Sequence, residues 1–273
     1  STRSISAADR KVDIMGLALV SGGAPTAVTI NGSGPDYRRG EYFWKTILGA
    51  GAGPNWQSVN IVAGISSASG NVYVPPQTET FTYDTEGNLT SDARWVYKWD
   101  AENRLSRIDT QVAAAAVGVP TKRVVFFYDY QHRLIRKHVF SGTYNAGAIT
   151  WSGTPDATAG ADLIYLYDGL RCIATLKPDQ TLYQSYVWGL DISSTPAGAG
   201  GVGGLLMFRR VVGGNTETYF PAFDGGGNVT ALIKGEDAGV AGSAGKVAAR
   251  YEYGPFGNLL RISGDAVGLD NPF

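Results

Sequence analysis

YDTEGNL, residues 83–89, opens with an aromatic and an aspartate, passes a glycine, and closes on asparagine and leucine. The same seven-residue pattern returns along the chain. Trp99 begins WDAENRL, Tyr128 begins YDYQHRL, Tyr167 begins YDGLRCI, Phe223 begins FDGGGNV and Tyr253 begins YGPFGNL. Position one is always aromatic, and position seven is always Leu, Ile or Val. Position two is aspartate except at Gly254. Position five reads Gly87, Asn103, His132, Arg171, Gly227 and Gly257.

The pattern has a mechanical reading. An aspartate at the first corner of a type I turn accepts N–H bonds from the residues that follow it. The chain then needs one residue at positive φ to rejoin its antiparallel partner through a bulge, and Gly, Asn and His tolerate that conformation best. Each heptad is therefore expected to be a β-hairpin tip. Asp84, Asp100, Asp129, Asp168 and Asp224 are expected to hold the turns. Gly87, Asn103, Gly227 and Gly257 are expected at the left-handed position. Arg171 fits that position poorly, so its copy is expected to use another loop.

The flanking segments read as strands. RWVYKW (94–99) puts Trp95, Tyr97 and Trp99 on one face and Arg94, Val96 and Lys98 on the other. ARYEY (249–253) alternates in the same way, as half-buried antiparallel strands do. RVVFFY (123–128) and LIYLY (163–167) are apolar throughout, as strands covered on both faces are. TQVAAAAVGVPT (110–121) and residues 141–161 read as long loops. The alanine run offers one helical turn, which Gly118 and Pro120 close. The chain is thus expected to be all-β, built from antiparallel β-hairpin repeats. Residues 1–78 hold no heptad and read as a β extension or small β module, with Pro75-Pro76 as the boundary before a repeat region at 79–273.

Composition narrows the function classes. The chain has 273 residues, 44% hydrophobic, with a formal net charge of −1. That charge gives no reason to expect a nucleic acid or an anionic membrane as partner, and no apolar run is long enough to insert in a bilayer. Cys172 is the only cysteine, and His132 and His138 are the only histidines. Their spacing matches no common metal pair, so neither a metal nor another cofactor is expected. GAGGVG (198–203) matches the dinucleotide fingerprint literally, but LLMFRRVV, a strand pattern, follows it where a helix should start, so it reads as a hairpin loop.

FTYDTEGNLTSDARWVYKWDAENRL, YDGLRCIATL with QSYVWGLD, and AFDGGGNVTALI with ARYEYGPFGNLLRISG resemble the tyrosine–aspartate repeats of the Rhs (rearrangement hotspot) family. The resemblance covers about residues 81–273. It implies a curved or spiralling sheet, part of a hollow shell that in several relatives encloses a toxic C-terminal domain released by self-cleavage. The positions that would match the cleavage site are not in this sequence, and no catalytic residue carries over.

The expected role is a non-catalytic structural scaffold. Its expected partners are a protein cargo or the remaining shell segments, and its expected location is extracellular or at the cell surface. The alternative is a carbohydrate-binding module that uses exposed aromatics, with Trp56 and Trp151, near loop sequence, as the candidates. A third reading is a hydrolase with an unrecognised site. An uncovered final strand also leads to an expectation of self-association through the C-terminal edge, or of its capping by strands from residues 11–74.

Overall fold

The computed structural model describes residues 2–6, 10–18, 20–21, 24–158, 160–236, 242–255, 257 and 259–264. They fold into two compact units. The first comprises residues 1–127 and 138–157, and the second comprises residues 128–137 and 158–273. Every strand pairing recorded within them is antiparallel, so the all-β expectation holds.

In the first unit, Lys11–Leu17 pairs with Tyr42–Leu48, which also pairs with Tyr37–Arg39. Val28–Ile30, Asn55–Ala63 and Ser66–Val74 form a second small sheet. Between them lie buried Val28, Ile30, Phe43, Ile47 and Val59. Gly16 faces Phe43 across the strands, and a Cβ there would stand 2.4 Å from the ring, so the close packing requires glycine. Strands within residues 11–74 are thus spent on one another. The first strand, Thr2–Ser6, pairs with Thr78–Tyr83 and so lies beside the first strand of the repeats.

The repeats continue through Leu89–Ser91, Trp95–Trp99, Leu105–Thr110 and Lys122–Tyr128. The alanine run forms a single short helix, Val112–Ala116, and Gly118 at φ +97° turns the chain out of it. In the loop after Leu134–Asn145, the Asp156 carboxylate accepts bonds from the Ser141 N–H (2.8 Å) and the Lys122 ammonium (2.7 Å), which pins the long loop back to the strands.

The second unit is a sequential meander. Asp162–Asp168, Arg171–Leu176, Leu182–Trp188, Leu205–Val212, Asn215–Phe223, Val229–Lys234, Val247–Tyr253 and Leu259–Ser263 each pair with the next. Its buried cluster joins Leu205, Phe208, Tyr219, Val229, Leu232, Ala248, Ala249 and Tyr251. Ala249 and Tyr251 are two apart, as alternation to one face requires, while Leu205/Phe208 and Val229/Leu232 are three apart because a bulge inserts one residue between them.

Candidate functional site

The hairpin tips share one construction. Oδ1 of the position-two aspartate accepts the N–H groups of positions four and six at 2.8–3.0 Å: Glu86 and Asn88 on Asp84, Glu102 and Arg104 on Asp100, Gln131 and Arg133 on Asp129, Gly226 and Asn228 on Asp224. Oδ2 takes the side chain of position six: the Asn88 amide, Arg104 Nε, Arg133 Nε and the Asn228 amide. Position six is therefore Asn or Arg because it must donate, a rule the sequence pattern alone did not expose. Position five lies at positive φ: Gly87 at 90°, Asn103 at 58°, His132 at 61°, Gly227 at 82° and Gly257 at 79°.

These bonds act on the charged carboxylates. The Arg104 N–H holds the Asp100 carboxyl below its usual range, against the opposing effect of burial. The Asn228 amide and N–H do the same for Asp224. At Asp129, burial pushes upward, and the Arg133 N–H and guanidinium outweigh it.

Asp168 needs correction. It ends the strand Asp162–Asp168 and pairs directly with Arg171 across the two-residue loop Gly169-Leu170, with Gly169 at φ +56°. Tyr167 pairs with Cys172 at position six, one residue earlier than the position-seven partner at the other tips, so Asp168 is a strand residue and not a turn brace.

A second rule links successive hairpins. The position-one aromatic reaches back and donates to the carbonyl that follows the preceding turn. Trp99 Nε1 donates to the Leu89 oxygen (2.7 Å), Tyr167 OH to Leu134 (2.9 Å), Trp188 Nε1 to Cys172 (2.7 Å) and Tyr253 OH to Val229 (2.9 Å). Adjacent strands diverge near the tips: Val229–Lys234 pairs with Val247–Tyr253 only from Ala231 onward. The polar tip of the aromatic bridges that gap. Tyr253→Phe keeps the ring and removes the donor, so a loss of about 1–2 kcal/mol is expected in urea unfolding. An unchanged midpoint would show that water replaces the clasp without cost.

Trp188 exposes a hairpin hidden in the sequence. The Gly189 N–H donates to the Gly204 oxygen, and Trp188 pairs with Leu205. These are the contacts that positions two and six, and one and seven, make elsewhere. Residues 190–203 are an insertion into this heptad, and GAGGVG belongs to it. Asp191, buried to 5% exposure, braces the insertion. Its carboxylate accepts the Ser193 hydroxyl (2.5 Å) and the N–H groups of Ser193 (2.9 Å), Ala199 (2.7 Å) and Gly201 (3.2 Å).

The Ser193 hydroxyl first, and then the backbone donors, lower the Asp191 carboxyl to about 2 from 3.8. A depressed folded-state value stabilises the fold above the unfolded value, and that contribution is lost as pH falls through the folded one. Unfolding followed from pH 4 to pH 2 should therefore be less acid-dependent in Asp191→Asn than in the parent. Parallel curves would remove the carboxylate's role.

The insertion overhangs the next tip. A Cβ on Gly227 would stand 2.5 Å from Val202 Cγ1, and one on Gly201 would stand 3.6 Å from the Trp188 ring. Beneath it lies a cavity of about 420 Å³ lined by Trp188, Leu205, Phe223, Val229 and Tyr253, with Gly200–Gly203 as one wall. All of its aromatic lining comes from position one of a hairpin.

The aromatics first considered for sugar stacking are placed differently. Trp56 lies in the strand Asn55–Ala63 and Trp151 in Ala148–Trp151, both half-buried. The Arg123 guanidinium sits 4.4 Å from the Trp151 ring centroid and is itself held by Asp109 through Nε (2.7 Å) and Nη2 (2.9 Å). A Cβ on Gly142 would meet the same ring at 2.8 Å. Trp151 is thus packed between strand and cation. Trp56 lies against Gly118, at the end of the helical turn. Among the described residues, no group of three or more His, Cys, Asp or Glu is placed to hold a metal ion, and no helix is long and apolar enough to cross a membrane.

No protein-family model matches the chain. Among curated proteins it is similar to tRNA nucleases named WapA. It is 25% identical over 197 residues to the tRNA3(Ser)-specific nuclease WapA of Bacillus spizizenii. It is 25% identical over the same length to the tRNA(Glu)-specific nuclease WapA of Bacillus subtilis subsp. natto, and 24% identical to the tRNA nuclease WapA of Bacillus subtilis strain 168. The match covers 71% of this chain and 6% of each relative, so the chain spans a small part of the curated proteins it matches. Among solved structures, the Photorhabdus luminescens Tc holotoxin pore aligns with 93% of this chain and 11% of its own, at a TM-score of 0.39 and 10% identity. The expectation of a non-catalytic chain is corrected by these relatives, which are named as nucleases.

Proposed function

We propose that this chain is a β-hairpin wall segment of a longer, nuclease-bearing protein, and that the wall encloses or displays the rest of that protein. The observation that carries this reading is where the polar groups of the repeats go. Asp84, Asp100, Asp129 and Asp224 spend their carboxylates on their own turns, and Trp99, Tyr167, Trp188 and Tyr253 spend their donors on the hairpin before. Side chains committed in this way stiffen a surface. Sequence similarity to the WapA nucleases, over 6% of their length, supports a place for such a segment within a larger tRNA-cleaving polypeptide.

The test uses the complete gene product. Intact, it is expected to cleave tRNA, and absence of cleavage would remove the nuclease part of the reading. Combined Asp100→Ala and Asp224→Ala changes are expected to speed proteolysis of the polypeptide outside residues 1–273. If only residues 1–273 became more sensitive, the enclosing role would fall while the nuclease result stood.

A further inference from the structure

Among the described hairpins, one lacks the donor that the clasp needs. Trp99, Tyr167, Trp188 and Tyr253 each carry a donor at position one and each reaches the carbonyl after the preceding turn. At the hairpin that follows Trp188–Leu205, position one is Phe223, which has no donor. The carbonyl it would have reached is that of Leu205, the residue paired with Trp188 just as Leu89 is paired with Tyr83 and Val229 with Phe223. The ladder between Leu205–Val212 and Asn215–Phe223 runs from Phe208↔Tyr219 to Val212↔Asn215 and does not extend to Leu205.

The cavity of about 420 Å³ lies at this break in the pattern, with Leu205 and Phe223 both in its lining. Its other aromatic members have already used their polar tips. Trp188 donates to Cys172 and Tyr253 to Val229, so both present ring surface to the cavity without a free donor. The wall opposite is glycine backbone from 200 to 203, held in place by Asp191. Gly200, Gly257 and Val202, the last 44% exposed, bring the cavity to the surface. The lining therefore combines aromatic and aliphatic walls with glycine backbone, Asn228 and Leu205, whose carbonyl lies beyond the end of the ladder, and an occupant that fits it is a flat apolar ring carrying a donor.

We infer that this cavity is a binding site for a tryptophan or tyrosine side chain supplied by another polypeptide segment, whose indole N–H or phenol O–H completes the Leu205 clasp that Phe223 leaves open. The reasoning is internal to the molecule. The side chains that fill the equivalent position in this chain are Trp and Tyr, and they do so with the same ring-plus-donor chemistry. The inference does not depend on nuclease activity or on what the wall encloses.

Titration of the 273-residue chain with small aromatic amides, read by amide NMR shifts at Gly200, Gly201, Gly203 and Gly227, tests it without any substitution. N-acetyltryptophanamide and N-acetyltyrosinamide are expected to shift these resonances. N-acetylphenylalaninamide, with ring but no donor, is expected to bind about tenfold more weakly, the factor that one net hydrogen bond is worth. Equal affinity for all three would overturn the role of the Leu205 carbonyl. Binding of free indole with none of the tryptophan amide would overturn the side-chain source and leave a site for free small aromatics. A second measurement approaches from inside. Phe223→Tyr supplies the missing hydroxyl, so it should raise the melting temperature and weaken N-acetyltryptophanamide at least tenfold. Undiminished binding in that variant would also defeat the inference.

Discussion

Phe208→Ala is expected to lower the stability of the second unit by about 3–5 kcal/mol, the usual cost of removing a buried phenylalanine. Phe208 is 1% exposed and stacks on Tyr219 directly across the strands, with ring centroids 5.2 Å apart and planes at 22°. It touches the cluster formed by Leu205, Val229, Leu232 and Ala249, so the truncation opens a void in the middle of the meander and not at its edge. The strands on both sides are tied by their turn braces, which restricts collapse into the void and keeps the cost near the upper end of the range. Leu206, the exposed neighbour two positions earlier at 54%, gives the control. Leu206→Ala should change stability by about 0.5 kcal/mol or less. Urea unfolding followed by tryptophan fluorescence reads both, and similar shifts for the two variants would mean that Phe208 does not anchor the core.

The second large effect lies in the first unit. Arg10 is 8% exposed, and its guanidinium is spent on backbone oxygens. Nε donates to Pro75 (2.8 Å), Nη1 to Ala50 (2.8 Å) and Gly51, and Nη2 to Gly53, with Asn55 Oδ1 at 3.3 Å. The Gly49 N–H donates to the Arg10 carbonyl, and a Cβ on Gly49 would stand 2.7 Å from Arg10 Cζ, so the loop wraps closely around the cation. Arg10→Met retains much of the hydrocarbon volume but leaves several carbonyls without a donor. Each such acceptor costs about 1–3 kcal/mol when buried, and relaxation toward water recovers part of it, so a loss of about 3–5 kcal/mol is expected. Arg10→Lys should recover only part of that, because an ammonium cannot span acceptors arranged around a planar fork. Limited proteolysis should begin within residues 49–55 in Arg10→Met. A cleavage pattern like the parent's would separate Arg10 from the order of that loop.

The two kinds of turn differ in how plainly the residues announce them. A heptad that braces itself with aspartate carries its instructions locally: the acceptor is at position two, and the residue at positive φ is Gly, Asn or His. Strand class followed from the same local signals, since Trp95, Tyr97 and Trp99 alternate with polar residues. LKPDQTL (176–182) makes a closely similar turn, with the Lys177 N–H on Thr181, the Gln180 N–H on Lys177 and Gln180 at φ +64°. It has neither the leading aromatic nor an aspartate at position two, and glutamine does not advertise positive φ, so nothing in its residues singled it out. Asp168 was the opposite error. Its place at position two suggested a brace, whereas the poor fit of Arg171 at position five already pointed to another loop, and the structure has one.

The Trp188–Leu205 hairpin was out of reach for another reason. Positions two and six, Gly189 and Gly204, are separated by residues 190–203, and a brace that elsewhere spans four residues is supplied by Asp191 inside the insertion. The cavity beneath it depends on contacts between Val202, Gly227 and Trp188, which are distant in sequence. Trp56 and Trp151 were judged from neighbouring loop-like residues, yet whether an aromatic on a strand is covered depends on its cross-strand and same-face partners. For Trp151 those are Gly142 and Arg123. Catalytic association was not readable from these residues either, because the repeats spend their chemistry on turns; it entered through the relatives.

The backward-reaching aromatic has a consequence for how such a chain can change in length over generations. A hairpin of the full pattern brings its own turn brace and its own attachment to the hairpin before it, and it presents a fresh carbonyl to the one after. A duplicated stretch such as residues 224–253 would therefore arrive with a whole braced turn and both partners of one clasp, Val229 as acceptor and Tyr253 as donor. Growth or loss by whole hairpins leaves every junction chemically unchanged, whereas a deletion that removes half of one strands a donor on one side and an acceptor on the other. Gene copies of this architecture should differ by complete aromatic-to-aromatic intervals, with breakpoints that spare the pair of residues forming each bond.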